Sequence, residues 1–512
     1  MQQIVGLSSM PDWLGQRASV APDQLALLCE GRSWTYADFD AAVSCTARRL
    51  ATLGAGEGTR VATLMRNGPR VPLNVHAMSR IGATLVPLNV RLNPAEIAWQ
   101  LEDSGAALLI VDESTATLAL EARKQYAAFD LVSASQPVDG IAALDAISPT
   151  DIVLRDRIDP ADVHSIVYTS GTTGRPKGAM LTYGNHWWSA IGSALNLGTV
   201  PDDRWLACMP LFHVGGMAIL LRSVIYGICA VVQPAFDPVA VNRAIDEEGV
   251  TIVSVVATML QRMLAARGDV PYPPSFRCAL LGGGPAPRPL LEECARRGVP
   301  VVQTYGLTET GSQVATLAPR DALTRLGSAG KPLFPNELRV VDERDVDSPP
   351  GEPGEIVVRG PVVTAGYADR PEETACAIRD GWLHTGDLGY FDADGYLFVL
   401  DRRTDLIVSG GENVYPAEVE AVLLAHPAIE EAGVVGMPDG EWGQVAVAAV
   451  RPSVGATPDS DDLLEFCRAR LARYKVPREI KFVDELPRNA SGKLLRRVLR
   501  DNWSNAGTSA KG

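Results

Sequence analysis

A hydroxyl-rich segment in the first half of the chain has residue types that suit phosphate binding. It reads Tyr168-Thr-Ser-Gly-Thr-Thr-Gly-Arg-Pro-Lys177-Gly178. Backbone N–H groups, hydroxyls and a cationic lysine on such a glycine-containing loop can wrap a polyphosphate. The spacing differs from the P-loop pattern, which argues against a kinase or a GTPase. An ordinary polar surface loop is the alternative. The predicted phosphate ligands are Thr169, Ser170, Gly171, Thr172, Thr173, Gly174 and Lys177.

A second candidate group follows Tyr305 and Gly306. The Thr308 hydroxyl can bond an α-phosphate, and the Glu309 carboxylate supplies a hard oxygen for Mg²⁺. Magnesium commonly keeps waters and substrate phosphates as its remaining ligands, so one carboxylate is sufficient. A glutamate on a solvated turn is the alternative reading.

Three further positions have types that suit a nucleotide. The run Gly282-Gly-Gly-Pro285 lets the backbone approach a flat ring closely, because glycine has no Cβ. Asp387 lies between short predicted strands, where its carboxylate can accept hydrogen bonds from ribose hydroxyls; an ordinary surface residue is the alternative, and by itself the better reading. Lys493 lies in a Ser-Gly-Lys loop near the end of the chain, and a mobile lysine there can stabilise charge on phosphate and carboxylate oxygens; a solvated lysine is the alternative.

The elements that must position these residues indicate an α/β fold. Apolar runs such as Arg60 to Leu64, Ala106 to Val111 and Ile252 to Val256 alternate with helical patterns, which predicts largely parallel sheets. Short strands with Pro and Gly turns over 336–400 predict a β-rich subdomain.

The last part of the chain predicts a separate, smaller domain. We expect a helix at Pro416 to Leu424, a strand near Ala432 to Gly436 and a helix at Ser460 to Ala472. The predicted domains are therefore residues 1–403 and residues 404–512, with a disordered tail after about Trp503.

Composition limits the function classes. The chain has 512 residues, 46% hydrophobic and 21% charged, which is ordinary for a globular protein of several packed units. A net charge of −14 argues against nucleic acid as a partner, since phosphate backbones need a concentrated basic surface. The eight cysteines lack a Cys-x-x-Cys pair, so neither a metal nor a disulfide framework is expected.

The sequence also predicts a location. The start, Met1 to Met10, lacks the pattern of a secretory signal. The most apolar stretch, Gly216 to Val232, contains Arg222 and is too short to span a bilayer, so we interpret it as buried core. We therefore expect no membrane insertion and a cytoplasmic location.

Taken in order, the motifs resemble the superfamily of acyl-CoA synthetases, firefly luciferase and peptide-synthetase adenylation domains. The resemblance covers nearly the whole chain and is specific because seven motifs follow the phosphate segment in order. They are Pro210-Leu-Phe-His213, Gly282-Gly-Gly-Pro285, Tyr305-Gly-Leu-Thr308-Glu309-Thr310, Gly381-Trp-Leu-His-Thr-Gly-Asp387, Asp401-Arg402-Arg-Thr-Asp405, Ser409-Gly-Gly411-Glu-Asn and Pro487-Arg-Asn-Ala-Ser-Gly-Lys493.

The resemblance implies an adenylate-forming enzyme fold with a mobile α+β C-terminal domain. It implies the cofactors and co-substrates ATP, Mg²⁺ and coenzyme A, with Glu309 as the magnesium ligand and Lys493, Thr308 and His213 as catalytic residues. The implied nucleotide ligands include Gly283, Gly284, Pro285, Tyr305, Asp387 and Arg402.

The resemblance further implies that the C-terminal domain rotates between two half-reactions. The hinge position of relatives, commonly Asp or Lys, matches Thr404, and the loop at Gly411 is expected to approach the pantetheine arm of coenzyme A. His213 corresponds to an aromatic residue beside the acyl site; a satisfied core histidine is the alternative.

Less common strings narrow the family. Pro11-Asp-Trp-Leu, Thr182-Tyr-Gly-Asn-His-Trp-Trp and Thr310-Gly-Ser-Gln-Val-Ala-Thr-Leu317, among others, resemble the 2-succinylbenzoate–CoA ligases of menaquinone biosynthesis. Such a substrate has a second, aromatic carboxylate, so its pocket should contain polar or cationic groups. The residues expected to contact the acid are Arg91, His76, Ser312, Gln313 and His213.

Two other enzyme classes remain open at this point. One is another acyl- or aryl-CoA ligase of the medium-chain fatty-acid or cinnamate type, and the other is a stand-alone adenylation module that loads a carrier protein. A noncatalytic nucleotide-binding protein fits the motifs less well. The expected partners are small molecules, with a homodimer or homotetramer as the expected assembly.

Overall fold

The structure is a computed structural model. It describes residues 9–169, 175–283, 288–321, 324–325, 327–401, 407–414, 416–487 and 496–508. The chain divides into two compact units. Unit 1 comprises Met1–Val90, Gln100–Val167 and Gly178–Leu400, and unit 2 comprises Arg91–Trp99, Tyr168–Lys177 and Asp401–Gly512. The predicted boundary and hinge residue, Thr404, lies outside the described residues.

The α-helices are distributed along the whole described chain. They are α1 Trp13–Val20, α2 Tyr36–Thr52, α3 Arg70–Ile81, α4 Pro94–Ser104, α5 Ala116–Arg123, α6 Tyr183–Leu197, α7 Val214–Tyr226, α8 Pro238–Glu247, α9 Ala257–Arg267, α10 Arg288–Arg296, α11 Pro371–Ala377, α12 Pro416–Leu424, α13 Ser460–Arg468 and α14 Arg496–Thr508.

The strands are mostly short. They are β1 Met10–Pro11, β2 Leu25–Cys29, β3 Arg32–Thr35, β4 Arg60–Leu64, β5 Thr84–Pro87, β6 Leu108–Val111, β7 Asp130–Ser133, β8 Arg157–Ile158, β9 Val163–Thr169, β10 Lys177–Thr182, β11 Arg204–Ala207, β12 Cys229–Val232, β13 Ile252–Val255, β14 Cys278–Leu281, β15 Val301–Tyr305, β16 Ala315–Thr316, β17 Lys331–Pro332, β18 Glu337–Val341, β19 Gly354–Arg359, β20 Ile378–Arg379, β21 Trp382–Phe391, β22 Leu397–Asp401, β23 Ile407–Ser409, β24 Glu412–Val414, β25 Ile429–Asp439, β26 Gly443–Pro452 and β27 Glu479–Phe482.

Two large sheets confirm the α/β class. Within the described residues one sheet has the order β10-β9-β5-β4-β6-β7, and the other has the order β17-β16-β15-β14-β13-β11-β12-β2-β3. The central pairs are parallel, as in β4 with β6 and β13 with β14. Strand β15 enters the second sheet in parallel with β14 and then pairs antiparallel with β16. The chain therefore turns sharply between β15 and β16, and Thr308 and Glu309 lie in that turn.

The β-rich part of unit 1 is an antiparallel sheet. Its order is β18-β19-β21-β20, with β22 also paired to β21. A register shift interrupts the β19–β21 pairing between Glu355 and Val357. This irregularity lies opposite the segment of β21 that contains Asp387.

Unit 2 contains a second α/β arrangement. Its sheet has the order β24-β23-β26-β25, with β27 parallel to β26. Helix α12 matches the predicted helix, whereas α13 ends at Arg468, four residues before the predicted end. Ala472 has extended backbone angles and is buried with Leu471, so packing continues after the helix has ended.

Helix α14 extends to Thr508, past the point where the sequence predicts a disordered tail. Leu499 and Trp503 are buried and form a cluster with Val435 and Val447 of the unit 2 sheet. Burial of these two apolar side chains holds the helix on the sheet and explains the difference.

Candidate functional site

The Thr308–Glu309 turn is formed by a close approach of two backbone segments. Thr308–Thr310 form one 3-10 turn, and the backbone of Gly306 packs directly against that of Ser312. A Cβ at position 306 would lie 1.4 Å from the Ser312 carbonyl oxygen, so any larger residue would push the two segments apart. Gly306 therefore fixes the turn that carries Thr308 and Glu309, and both side chains are half-buried.

Glu309 is hydrogen-bonded at both its backbone and its side chain. The Thr364 N–H donates to the Glu309 carbonyl oxygen at 2.7 Å, and the Tyr367 hydroxyl donates to Oε1 of Glu309 at 3.0 Å. Both donors belong to one short segment after β19. The carboxylate is thus held in one orientation by residues that the sequence analysis did not identify.

Asp387 lies next to the same turn. The Tyr305 hydroxyl donates to Oδ2 of Asp387 at 2.8 Å, and both residues are buried. Tyr305 is the last residue of β15, three residues before Thr308. The tertiary structure therefore brings the predicted ribose ligand to the predicted phosphate and magnesium residues, although they are nearly 80 residues apart in the chain.

Side chains of the β-rich sheet shape the backbone at Asp387. The Gly386 N–H donates to Oε1 of Glu355 at 2.7 Å, and the Thr385 hydroxyl donates to the Ile356 carbonyl at 2.6 Å. The Asp387 N–H in turn donates to the Thr385 hydroxyl oxygen at 3.0 Å. These bonds replace regular strand pairing at the register shift and hold the aspartate in place.

His213 is the residue immediately before α7. Its half-buried ring is tilted against Phe212, with ring centroids 4.6 Å apart. Asn67 fixes the preceding loop, since its Nδ2 donates to the Met209 carbonyl at 2.8 Å and its Oδ1 accepts from the Leu211 N–H at 2.9 Å. The structure thus places His213 at a helix start on an anchored loop; its role beside the acid stays a prediction.

Ser312 and Gln313 follow the Glu309 turn, as the sequence requires, and differ in environment. Ser312 is half-buried and has φ of 98°, whereas Gln313 is buried. Neither side-chain polar atom of Gln313 has a hydrogen-bond partner among the described residues. A buried amide without a partner is costly and rare in folded proteins, so a bound molecule that pairs with Gln313 is one explanation for it.

Arg222, on α7, is a buried cation close to this segment. Its Nη2 donates to the Ser189 hydroxyl at 2.9 Å, and that hydroxyl donates to the Gly311 carbonyl at 2.7 Å. No carboxylate forms an ion pair with Arg222 in the described part of the chain, and its Nε has no partner there. Burial lowers the pKa of the guanidinium, as expected for a desolvated cation.

His76 and Arg91, the other two predicted acid contacts, belong to different units. His76 is buried in α3 with its ring edge-on to Phe39, and burial lowers its pKa to about 3. Arg91 is exposed and forms an ion pair with Glu412, with Nη1 and Oε1 2.8 Å apart. Their roles in acid binding stay predictions.

Unit 2 contains several of the predicted ligands. Thr169 ends β9 and Lys177 begins β10, and both are half-buried. Gly411 is exposed and forms, with Gly410, the two-residue turn between β23 and β24. Both glycines have positive φ, 58° and 84°, which is the geometry that a tight hairpin needs.

Several predicted site residues lie outside the described residues. They are Ser170, Gly171, Thr172, Thr173, Gly174, Gly284, Pro285, Arg402, Thr404 and Lys493. Gly283 is described; it follows β14 with φ of 81°.

The donor set at Glu309 fits magnesium. Among the described residues no cluster of three or more His, Cys, Asp or Glu side chains could enclose a metal. A single oriented carboxylate matches the way Mg²⁺ is bound when substrate phosphates and waters complete its shell. Glu309 is the residue that would hold the ion.

Arg222 and Tyr367 are among the residues of this site that the sequence did not reveal as functional. Arg222 carried a signal, because it is a lone charge inside the most apolar stretch of the chain. Tyr367 carried none, since a tyrosine after a glycine has no local feature that indicates a contact with Glu309, 58 residues earlier.

Most of this chain is similar to known protein families. Residues 14–368 match the family described as AMP-binding enzyme, and residues 418–493 match the AMP-binding enzyme C-terminal domain. A 2-succinylbenzoate–CoA ligase of Geobacillus kaustophilus is 55% identical over 494 residues, covering 96% of this chain and 98% of the relative.

Solved structures show the same similarity. An o-succinylbenzoate CoA synthetase double mutant of Bacillus subtilis, bound to the product analogue OSB-NCoA, has a TM-score of 0.90 at 43% identity and covers 96% of this chain and 99% of its own. The Bacillus subtilis enzyme in complex with the acyl-adenylate intermediate OSB-AMP has a TM-score of 0.74 at 44% identity, with 97% and 99% covered.

Proposed function

This chain belongs to the AMP-binding enzyme family, and we propose that it joins 2-succinylbenzoate to coenzyme A in menaquinone biosynthesis. In the first half-reaction a carboxylate oxygen of the acid attacks the α-phosphorus of ATP, and pyrophosphate leaves. In the second, the thiol sulfur of coenzyme A attacks the acyl carbon, the thiol proton is lost and AMP leaves. The products are 2-succinylbenzoyl-CoA, AMP and pyrophosphate.

The observation that carries the adenylation step is the hydrogen bond between Tyr305 and Asp387. Tyr305 precedes the Thr308–Glu309 turn by three residues, so this bond brings the buried Asp387 carboxylate close to that turn. In the proposal Asp387 accepts hydrogen bonds from the ribose hydroxyls, and the Thr308 hydroxyl donates to an α-phosphate oxygen. The Tyr305 hydroxyl keeps the aspartate oriented.

Further residues complete the proposed nucleotide site. Magnesium, when bound at Glu309, neutralises charge on the phosphate oxygens. Lys493 stabilises negative charge during attack on phosphorus, which is the role its family motif implies.

The acid specificity is supported by Arg222. A tunnel that binds a fatty acid would be apolar. In this protein the buried guanidinium of Arg222, which has no carboxylate partner among the described residues, bonds to Ser189. Ser189 in turn bonds to the backbone of Gly311, just before Ser312 and Gln313. Burying a cation is costly unless it is paired or hydrogen-bonded, and the Nε of Arg222 has no partner among the described residues. We propose that the aromatic carboxylate of 2-succinylbenzoate pairs with this cation and that His213 packs against the acid.

The test is a thioester assay with purified protein. Succinylbenzoyl-CoA is detected by mass in the complete reaction, and separate reactions omit ATP, Mg²⁺ or coenzyme A. A panel of medium-chain fatty acids and cinnamates is run beside it. A higher kcat/KM for any panel acid, or adenylate without thioester in the presence of coenzyme A, would contradict the proposal.

The proposal also covers where the protein is found in the cell and its oligomeric state. No helix of the described residues is long and apolar enough to cross a membrane. We propose a cytoplasmic location and a homodimer or homotetramer, which fractionation of the native cell and light scattering of the purified protein would test.

A further inference from the structure

The segment that holds Glu309 is itself held on two sides. The Ala365 N–H donates to the Met180 carbonyl at 3.0 Å, and the Met180 N–H donates to the Gly366 carbonyl at 2.9 Å. The Ala368 N–H donates to the Gly178 carbonyl at 2.8 Å. Segment 364–368 therefore lies along the start of β10, with one antiparallel β-bridge between Tyr367 and Ala179.

Helix α6 anchors the approach to this segment. Asn185 closes a capping box with Thr182, and its Nδ2 donates to the carbonyls of Pro361 and Val363, each at 2.8 Å. Because the backbone is fixed at these points, the Cα atom of Tyr367 has a fixed position. Its hydroxyl reaches Oε1 of Glu309 at 3.0 Å.

We propose that Tyr367 is a positioning residue for the magnesium carboxylate. The inference rests on the proposed function, in which Glu309 holds the ion. The terminal torsion of a glutamate is broad, so an unrestrained carboxylate must be ordered when it binds a metal. A hydroxyl that already donates to one oxygen removes that freedom before the ion arrives, and such outer contacts tune metal affinity.

The backbone contact and the side-chain contact have separable effects. The Thr364 N–H fixes the main chain of Glu309 and does not depend on the identity of residue 367. Tyr367→Phe therefore removes the hydroxyl alone and leaves the ring and the backbone hydrogen bonds to β10. A purely structural role for Tyr367 would not make its effect depend on magnesium.

The experiment measures ligand binding by calorimetry rather than turnover. A non-hydrolysable ATP analogue is titrated into full-length protein at a series of Mg²⁺ concentrations, and AMP is titrated without metal. For Tyr367→Phe we expect the Mg²⁺ concentration of half-maximal effect to rise about 10-fold, in the range known for outer-shell partners. AMP affinity should stay within about twofold of the unmodified protein, because that titration contains no metal ion through which an outer contact could act.

Two other tyrosine variants serve as comparisons. Tyr396→Phe removes a bond of the same kind, from a tyrosine hydroxyl to Oδ2 of Asp321 at 3.0 Å, and neither residue is a predicted ligand. It should leave both titrations unchanged. Tyr305→Phe removes the bond to Asp387 and should weaken AMP binding without metal.

The proposal is overturned if Tyr367→Phe gives the same Mg²⁺ dependence as the unmodified protein. It is also overturned if the effect of Tyr367→Phe persists undiminished in a Glu309→Gln background, because the hydroxyl then acts elsewhere. If the unmodified protein makes the thioester but its affinity for the ATP analogue does not depend on Mg²⁺, this inference is rejected and the proposed function is not. If the protein does not make succinylbenzoyl-CoA but Tyr367→Phe still raises the Mg²⁺ concentration needed, only the assignment of 2-succinylbenzoate as the acid is rejected.

Discussion

Replacing Arg222 by methionine is expected to remove the preference for an acid with a second carboxylate. Methionine is unbranched and apolar, which suits the buried position beside Trp205, whose ring lies 5.9 Å from the guanidinium carbon. Because a buried cation without an ion-pair partner is replaced by an apolar chain, the variant should fold and melt at or above the temperature of the unmodified protein.

The magnitude follows from burial. Arg222 is 3% exposed, so a carboxylate that bonds to it is shielded from water. Removing one partner of a buried, hydrogen-bonded charge pair costs about 2–4 kcal/mol. At about 1.4 kcal/mol per factor of ten, kcat/KM for 2-succinylbenzoate should fall by roughly 30- to 1,000-fold, with the KM for ATP unchanged.

The assay compares two acids on each protein. Benzoylpropionate has the same keto-acid arm and lacks the aromatic carboxylate, so it serves as the matched substrate. The unmodified protein should prefer 2-succinylbenzoate, Arg222→Met should show little preference, and Arg222→Lys should recover part of it because the charge is retained. If Arg222→Met lowers kcat/KM for both acids equally, or for neither, Arg222 does not recognise the second carboxylate.

Three further outcomes are expected. Lys493→Ala should slow adenylate formation severely while thioester formation from supplied acyl-adenylate stays largely intact; equal loss in both half-reactions would contradict its role. Lys475→Met should destabilise unit 2 by about 3–5 kcal/mol, because the buried ammonium bonds to Glu96 at 2.9 Å and Glu418 at 2.8 Å. The control is Lys481→Met, which replaces a more exposed lysine. Equal decreases in melting temperature for the two variants would refute this prediction. Burial lowers the pKa of His164 to about 4. Between about pH 6.5 and pH 4 the unfolded chain therefore binds more protons at this histidine than the folded protein does, so the free energy of unfolding decreases as the pH falls through that range. In urea unfolding near pH 5, His164→Phe should reduce the pH dependence of the unfolding free energy by about 1 kcal/mol per pH unit, and an unchanged slope would reject the assignment.

Element type was predictable wherever local pattern and packing agree. The strand at Arg60–Leu64 and the helix at Pro416–Leu424 have the predicted bounds, because their apolar periodicity and flanking residues are local properties. The end of α13 and the extent of α14 were not predicted. Both depend on which apolar residues a distant sheet buries, and that information is absent from the local sequence.

The residue types needed for phosphate, ribose and magnesium chemistry, and their order along the chain, were determined by the sequence alone. The tertiary structure decided which of them meet and how each is held. Tyr305 reaches Asp387, and Tyr367 reaches Glu309, across 82 and 58 residues. Arg222 is buried without a described carboxylate partner. Contacts at such separations arise from sheet order and side-chain burial, which no short window of sequence contains.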